Sequence, residues 1–114
     1  MSYNSQLIGP FEECLREELQ AILRALGFSE ADVLVLETSP GIAMIQIIYP
    51  FGYNTKLIPA EKPTIFQAVE DFLLDKLCVA PWGFVMRTTH LRIWVNKNSA
   101  VFDRLMDLSK SFAV

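Results

Sequence analysis

DVLVLETSPGIAMIQIIYP, residues Asp32 to Pro50, is the stretch whose reading decides the fold. Ser39-Pro40-Gly41 has turn chemistry at its centre. Proline presets the first central position, and glycine permits a positive φ at the second. The flanks, Val33–Thr38 and Ile42–Tyr49, are rich in β-branched residues, so the stretch reads as a hairpin. Neither flank alternates apolar with polar. Val33 and Val35 face one side, Leu34 and Leu36 the other. Ala43, Ile45, Ile47 and Tyr49 face one side; Ile42, Met44 and Ile48 the other. Strands apolar on both faces need cover on both faces. The hairpin therefore belongs in a sheet with one face under helices and the other against something else.

Working outward, the residues before the hairpin predict a helix. Pro10 suits a first helical position. Phe11, Leu15, Leu19, Ile22 and Leu26 recur at three- and four-residue spacing as one apolar stripe, with Glu12, Glu13, Glu17 and Arg24 mostly off it. Gly27 supplies the stop. After the hairpin comes a long connection, Pro50–Pro63. A second helix begins at Thr64, where Thr64 and Gln67 make a capping-box pattern. Its stripe is Ile65, Phe66, Val69, Phe72, Leu73 and Leu77, and Ala80-Pro81 breaks it.

A second strand pair follows, Gly83–Arg87 and Leu91–Asn96, about a turn at Thr88-Thr89. Leu91, Ile93 and Val95 point one way; Arg92, Trp94 and Asn96 the other. Asn98 or Ser99 caps a last helix with Val101, Phe102, Leu105, Leu108 and Phe112 inward. The order is α-β-β-α-β-β-α, a repeat of pattern without a repeat of residues. The fold class is α+β: a two-layer, four-stranded antiparallel sheet with helices on one face.

The 114 residues make a single domain, 1–114, long enough for a self-sufficient core. Apolar residues are 52% of the chain and charged residues 20%, which leaves little polar surface for a small domain. Either the core is unusually full, or apolar surface is buried on a partner. Cys14 and Cys78 form no CxxC or Cys/His cluster, so neither a metal nor a cofactor is expected. Both read as buried, inert thiols. Reduced thiols, no basic-then-apolar leader and no membrane-length apolar run predict a cytoplasmic location.

Charge is uneven. Residues 1–61 carry three basic and eight acidic side chains, and residues 62–114 seven and five. Between Asp75 and Asp103 there is no acid. Within that span Arg87, His90, Arg92, Trp94 and Lys97 form a basic-aromatic candidate set for a partner or an anion. Phe51 and Tyr53 in the long connection are candidate interface anchors. His90 is the only histidine, and no GxSxG, HExxH or comparable motif supplies it with a nucleophile or metal.

The leading expectation is a non-enzymatic protein-interaction module, an adaptor or chaperone-like subunit, dimerising through an apolar sheet face or burying that face on a protein partner. Binding of nucleic acid or another anion through the basic-aromatic hairpin face ranks second. An enzyme using His90 ranks last.

Overall fold

In the computed structural model, which describes residues 8–49, 64–87 and 89–112, seven elements follow the expected order. They are α1 (Pro10–Ala25), β1 (Asp32–Ser39), β2 (Ile42–Ile48), α2 (Ile65–Lys76), β3 (Gly83–Met86), β4 (His90–Asn96) and α3 (Ser99–Phe112). The strands form one antiparallel sheet in the order β1-β2-β4-β3. The two hairpins thus join through their inner strands, leaving β1 and β3 as edges.

Local chemistry sets the element ends. Gly41 takes φ +79°, as the turn between β1 and β2 requires. The register slips by one residue between Glu37 and Ser39, a bulge at the end of β1. At the end of α1 the Phe28 N–H donates to the Leu23 carbonyl (2.8 Å) and the Gly27 N–H to that of Arg24 (3.0 Å). This is a Schellman closure, with Gly27 at φ +95°. Thr64 Oγ1 accepts from the Gln67 N–H (3.1 Å), and Asn98 Oδ1 from the Val101 N–H (3.0 Å), capping α2 and α3.

One hydrophobic cluster joins all three helices to one sheet face. The sheet contributes Val33, Val35, Ala43, Ile45, Ile47, Leu91, Ile93 and Val95, each at most 4% exposed. Their parity is the parity read from the sequence. The helices contribute Phe11, Leu15, Leu19 and Leu23 from α1, Ile65, Val69 and Leu73 from α2, and Val101 and Leu105 from α3. Tyr49 extends this face beyond β2. Its hydroxyl donates to the Arg87 carbonyl (2.6 Å) and lies 3.1 Å from that of His90, fastening the second hairpin to the first.

Several expectations need correction. Leu23 is fully buried, while Ile22 and Leu26 are only partly so, because the buried row of α1 continues from Phe11, Leu15 and Leu19 at four-residue spacing. Glu12 is buried rather than solvated. Phe102 stacks on Phe11 at 6.1 Å between centroids but stays 37% exposed, at the rim of the helical layer. Cys78 is exposed and takes φ +53° just after α2, where the chain leaves the helix. Cys14 is partly buried, and burial pushes its thiol pKa up. A hydrogen bond with Ser109 works against that rise, and the charges of Glu18 and Glu17 add to it. The Phe112 side chain lies outside the described set.

Candidate interaction surface

The other sheet face follows from the same register. Adjacent antiparallel partners share a face. One row across the strands therefore runs Leu34, Gln46, Arg92, Val85, and the next Leu36, Met44, Trp94, Gly83. Ile48 lies beside His90 at one end, and Ile42 beside Asn96 at the other. Among the described residues no helix packs here. Leu36 is buried among its neighbours. Leu34, Ile42, Met44, Val85 and Trp94 are half-buried, and Ile48 is 49% exposed. Trp82, 57% exposed, stands with its ring centroid 6.3 Å from that of Trp94. The face is an apolar sheet surface with one polar pair at its centre, Arg92 Nε donating to Gln46 Oε1 (2.9 Å).

The basic-aromatic candidates divide. Arg87, His90, Arg92 and Trp94 share this outer face. Arg87 is exposed and its Nη1 donates to the adjacent Met86 carbonyl (3.2 Å). His90 is half-buried with Thr89 Oγ1 3.5 Å from Nδ1, and no carboxylate among the described residues is bonded to it. Lys97 departs. It continues the parity of Leu91, Ile93 and Val95 and turns to the helix side. Phe51 and Tyr53 lie outside the described residues.

Lys97 instead centres an ion cluster. Its ammonium bonds Glu12 of α1 and stands 3.3 Å from Glu37 of β1 and 5.3 Å from the Phe11 ring centroid. Glu12 Oε1 also accepts from the Gly9 N–H (2.9 Å) at the helix start. Burial acts to raise the Glu12 pKa. The bonds from Lys97 and from the Gly9 and Glu12 backbone, with the Lys97 charge, outweigh it, and the carboxyl sits below its ordinary range. A carboxylate at a helix N-terminus with a bonded ammonium is stable charged. The arrangement is a closed structural clamp, with every partner committed.

Alternation along Leu91, Ile93, Val95 and Lys97 is the sequence signal that separates Lys97 from the basic-aromatic candidate set. Glu12 has a signal of the same kind, since it stands at helical spacing from Leu15, Leu19 and Leu23 and so lies on the stripe that α1 buries. Among the described residues no group of three or more His, Cys, Asp or Glu side chains could hold a metal ion, and no helix is long and apolar enough to cross a membrane. No protein-family model, curated protein or solved structure matches the chain.

Proposed function

We propose that the chain is a non-enzymatic protein-interaction module, an adaptor or chaperone-like subunit, that buries its outer sheet face against protein, a second copy in the simplest case. One observation carries the reading: among the described residues helices cover one sheet face only, yet both faces are apolar. Burial of apolar surface yields roughly 25 cal/mol per Å². A face built on Leu34, Leu36, Met44 and Trp94 therefore gains more from a protein surface than from water. The central Arg92–Gln46 pair suits such a face, since arginine is enriched in interfaces and its planar head tolerates partial desolvation. Free Cys14 and Cys78 fit a reducing, cytoplasmic setting.

Light scattering after size exclusion tests this. The expected result is association of the wild-type chain at micromolar concentration, reduced by Met44→Asp, which sets a charge in the middle of the face. A monomeric wild type with no apolar dye binding would overturn the reading.

A second reading rests on Arg87, Arg92 and His90 sharing a face with the Trp82–Trp94 pair: single-stranded nucleic acid held by stacking and phosphate contacts. With Lys97 committed to Glu12 and Glu37, only two arginines remain for phosphates, and the salt-dependent gain shrinks accordingly. Binding of a labelled single strand at low salt, lost with Arg92→Ala and Trp94→Ala, is its expected signature.

A further inference from the structure

The β3 edge has a different character from the outer face, and it carries an inference independent of the reading above. The Arg87 N–H donates to the His90 carbonyl at 2.8 Å, so residues 87 and 90 form a hydrogen-bonded pair. Bonded and non-bonded pairs alternate along an antiparallel ladder. In the register Gly83↔Trp94, Val85↔Arg92, the residues bonded to β4 are therefore Gly83, Val85 and Arg87. The N–H and C=O groups of Phe84 and Met86 point the other way, off the sheet. Among the described residues the Met86 carbonyl receives the side chain of its neighbour Arg87.

The same two residues are anomalous in burial. Phe84 and Met86 pair with Ile93 and Leu91, so their side chains are on the helix face. Every other apolar strand residue on that face is at most 4% exposed, whereas Phe84 is 53% exposed and Met86 41%. Phe66 of α2 reaches Phe84, at 4.8 Å between ring centroids, but leaves its outward side open. Backbone groups with no strand partner among the described residues thus coincide with exposed apolar side chains on one short strand.

The geometry points to a second copy of the chain as the occupant, paired antiparallel through β3 about a two-fold axis at Val85. In that register Phe84 meets Met86 of the second copy, and the reverse. The outward groups of both residues then exchange four backbone hydrogen bonds. Val85 meets Val85. Arg87 meets Gly83, where a side chain has nothing within 4 Å of the Cβ position. The arginine head can lie across that open place toward the Trp82 and Trp94 rings of the second copy, a favourable cation–aromatic placement. No like charges are opposed. Aromatic–thioether and β-branched pairs are favourable neighbours across strands. Shifting the two-fold by one residue either way opposes Phe84 to Phe84 or Met86 to Met86. It then sends the other outward group beyond the strand end and halves the backbone bonds within β3. The short segment Gly83-Phe84-Val85-Met86-Arg87 is thus complementary to itself in one register. Two four-stranded sheets become one of eight strands, with a closed two-fold interface.

The experiment separates this edge from the outer face. Its mass is read in the Met44→Asp background, where association through the face is removed. The expected result is a dimer at about 100 μM, reduced to a monomer when Met86→Lys is added, because a charge is then set against Phe84 of the second copy. A Met44→Asp monomer at that concentration would overturn the edge proposal and leave the face reading standing. Should Met44→Asp fail to fold, amide exchange on the wild-type chain decides. The Phe84 and Met86 amides are expected to be protected at high concentration and to lose protection on dilution. Fast exchange at both concentrations overturns the proposal.

Discussion

At the β1 edge of the sheet, a side chain from α1 takes the place of a neighbouring strand. Gln20 Nε2 donates to the Ala31 carbonyl at 2.7 Å, and Gln20 Oε1 accepts from the Val33 N–H at 3.2 Å. These groups flank one residue, so the amide fills the position of a parallel neighbour's peptide group. The bulge at the end of β1 and the Glu12–Lys97–Glu37 cluster finish the same side. At the β3 edge, the outward groups of Phe84 and Met86 face away from the fold beside exposed apolar side chains. An open strand edge is a template for another chain, and proteins that do not use one blunt it with charge, bulges or cover. One edge here is blunted in all three ways. Among the described residues the other has only the exposed Arg87 head on the Met86 carbonyl and the Phe66 ring against one side of Phe84, and this difference is where the edge proposal starts.

The comparison breaks first at the ion cluster, where the expected effect is largest. Lys97→Met leaves the Glu12 carboxylate, 2% exposed, without its cation. Stranding one member of a buried pair costs about 3–5 kcal/mol, and the partial exposure of Lys97 places the loss near the low end. Urea unfolding measures it. The pair also has a pH signature. The Glu12 pKa is depressed in the folded chain, so its contribution is complete above the ordinary carboxylate value, about 4.3. It is lost as pH falls through the lower folded value. Glu12→Gln is therefore expected to narrow its stability gap to wild type as the solution is acidified. A gap that stays constant down to pH 3 contradicts the charge assignment.

Gln20 gives the next effect. Gln20→Leu keeps roughly the volume and removes both bonds, leaving the Ala31 carbonyl and Val33 N–H without partners. The expected loss is about 1–3 kcal/mol, the usual cost of unsatisfied buried groups. Exchange of the Val33 amide should accelerate with it. Stability equal to wild type would show that water substitutes for the amide, and the β1 edge would then be less closed than its geometry.

The contrast between the edges was only half legible in the sequence. Strand parity was: the separation of Val33 from Leu34, of Ala43 and Ile45 from Met44, and of Leu91 and Ile93 from Arg92 and Trp94 follows from alternation and holds within each strand, while the register between strands decides which side of the first hairpin meets the helices. The doubly apolar hairpin also announced a sheet face without helices. Polar closure was not legible. Glu12 and Lys97 are 85 residues apart in sequence, and Gln20 reaches Val33 from 13 residues away. The pairings themselves have no period and no motif, because they depend on how α1 rolls against β1. That roll also buries Leu23 where the spacing favoured Ile22 and Leu26. The bareness of Phe84 was hidden for a similar reason. Parity puts it on the helix face, but only the placement of α2 decides whether a helix reaches that far. The Arg87–Trp94 face was recovered from its residues, whereas Lys97 was grouped with it by proximity in sequence against its own parity.

The smallest expected effect is on β3 itself, and its smallness is the point. Phe84→Ser removes a large aromatic side chain from a strand of the core sheet. On β2 or β4 such a loss would cost about 3–5 kcal/mol. Here the residue is already 53% exposed, and its described aromatic contact is with Phe66. The expected loss for the isolated chain is no more than about 1 kcal/mol, the scale of one aromatic pair. Measured by urea unfolding at concentrations low enough to keep the chain monomeric, a loss near the core value would mean that Phe84 is part of the fold, and the edge would then be closed in its own way. A small loss places the side chain outside the energetics of the single chain. Its apolar bulk then has value only against another surface, and Phe84 and Gln20 come to mark the open and closed ends of the same sheet.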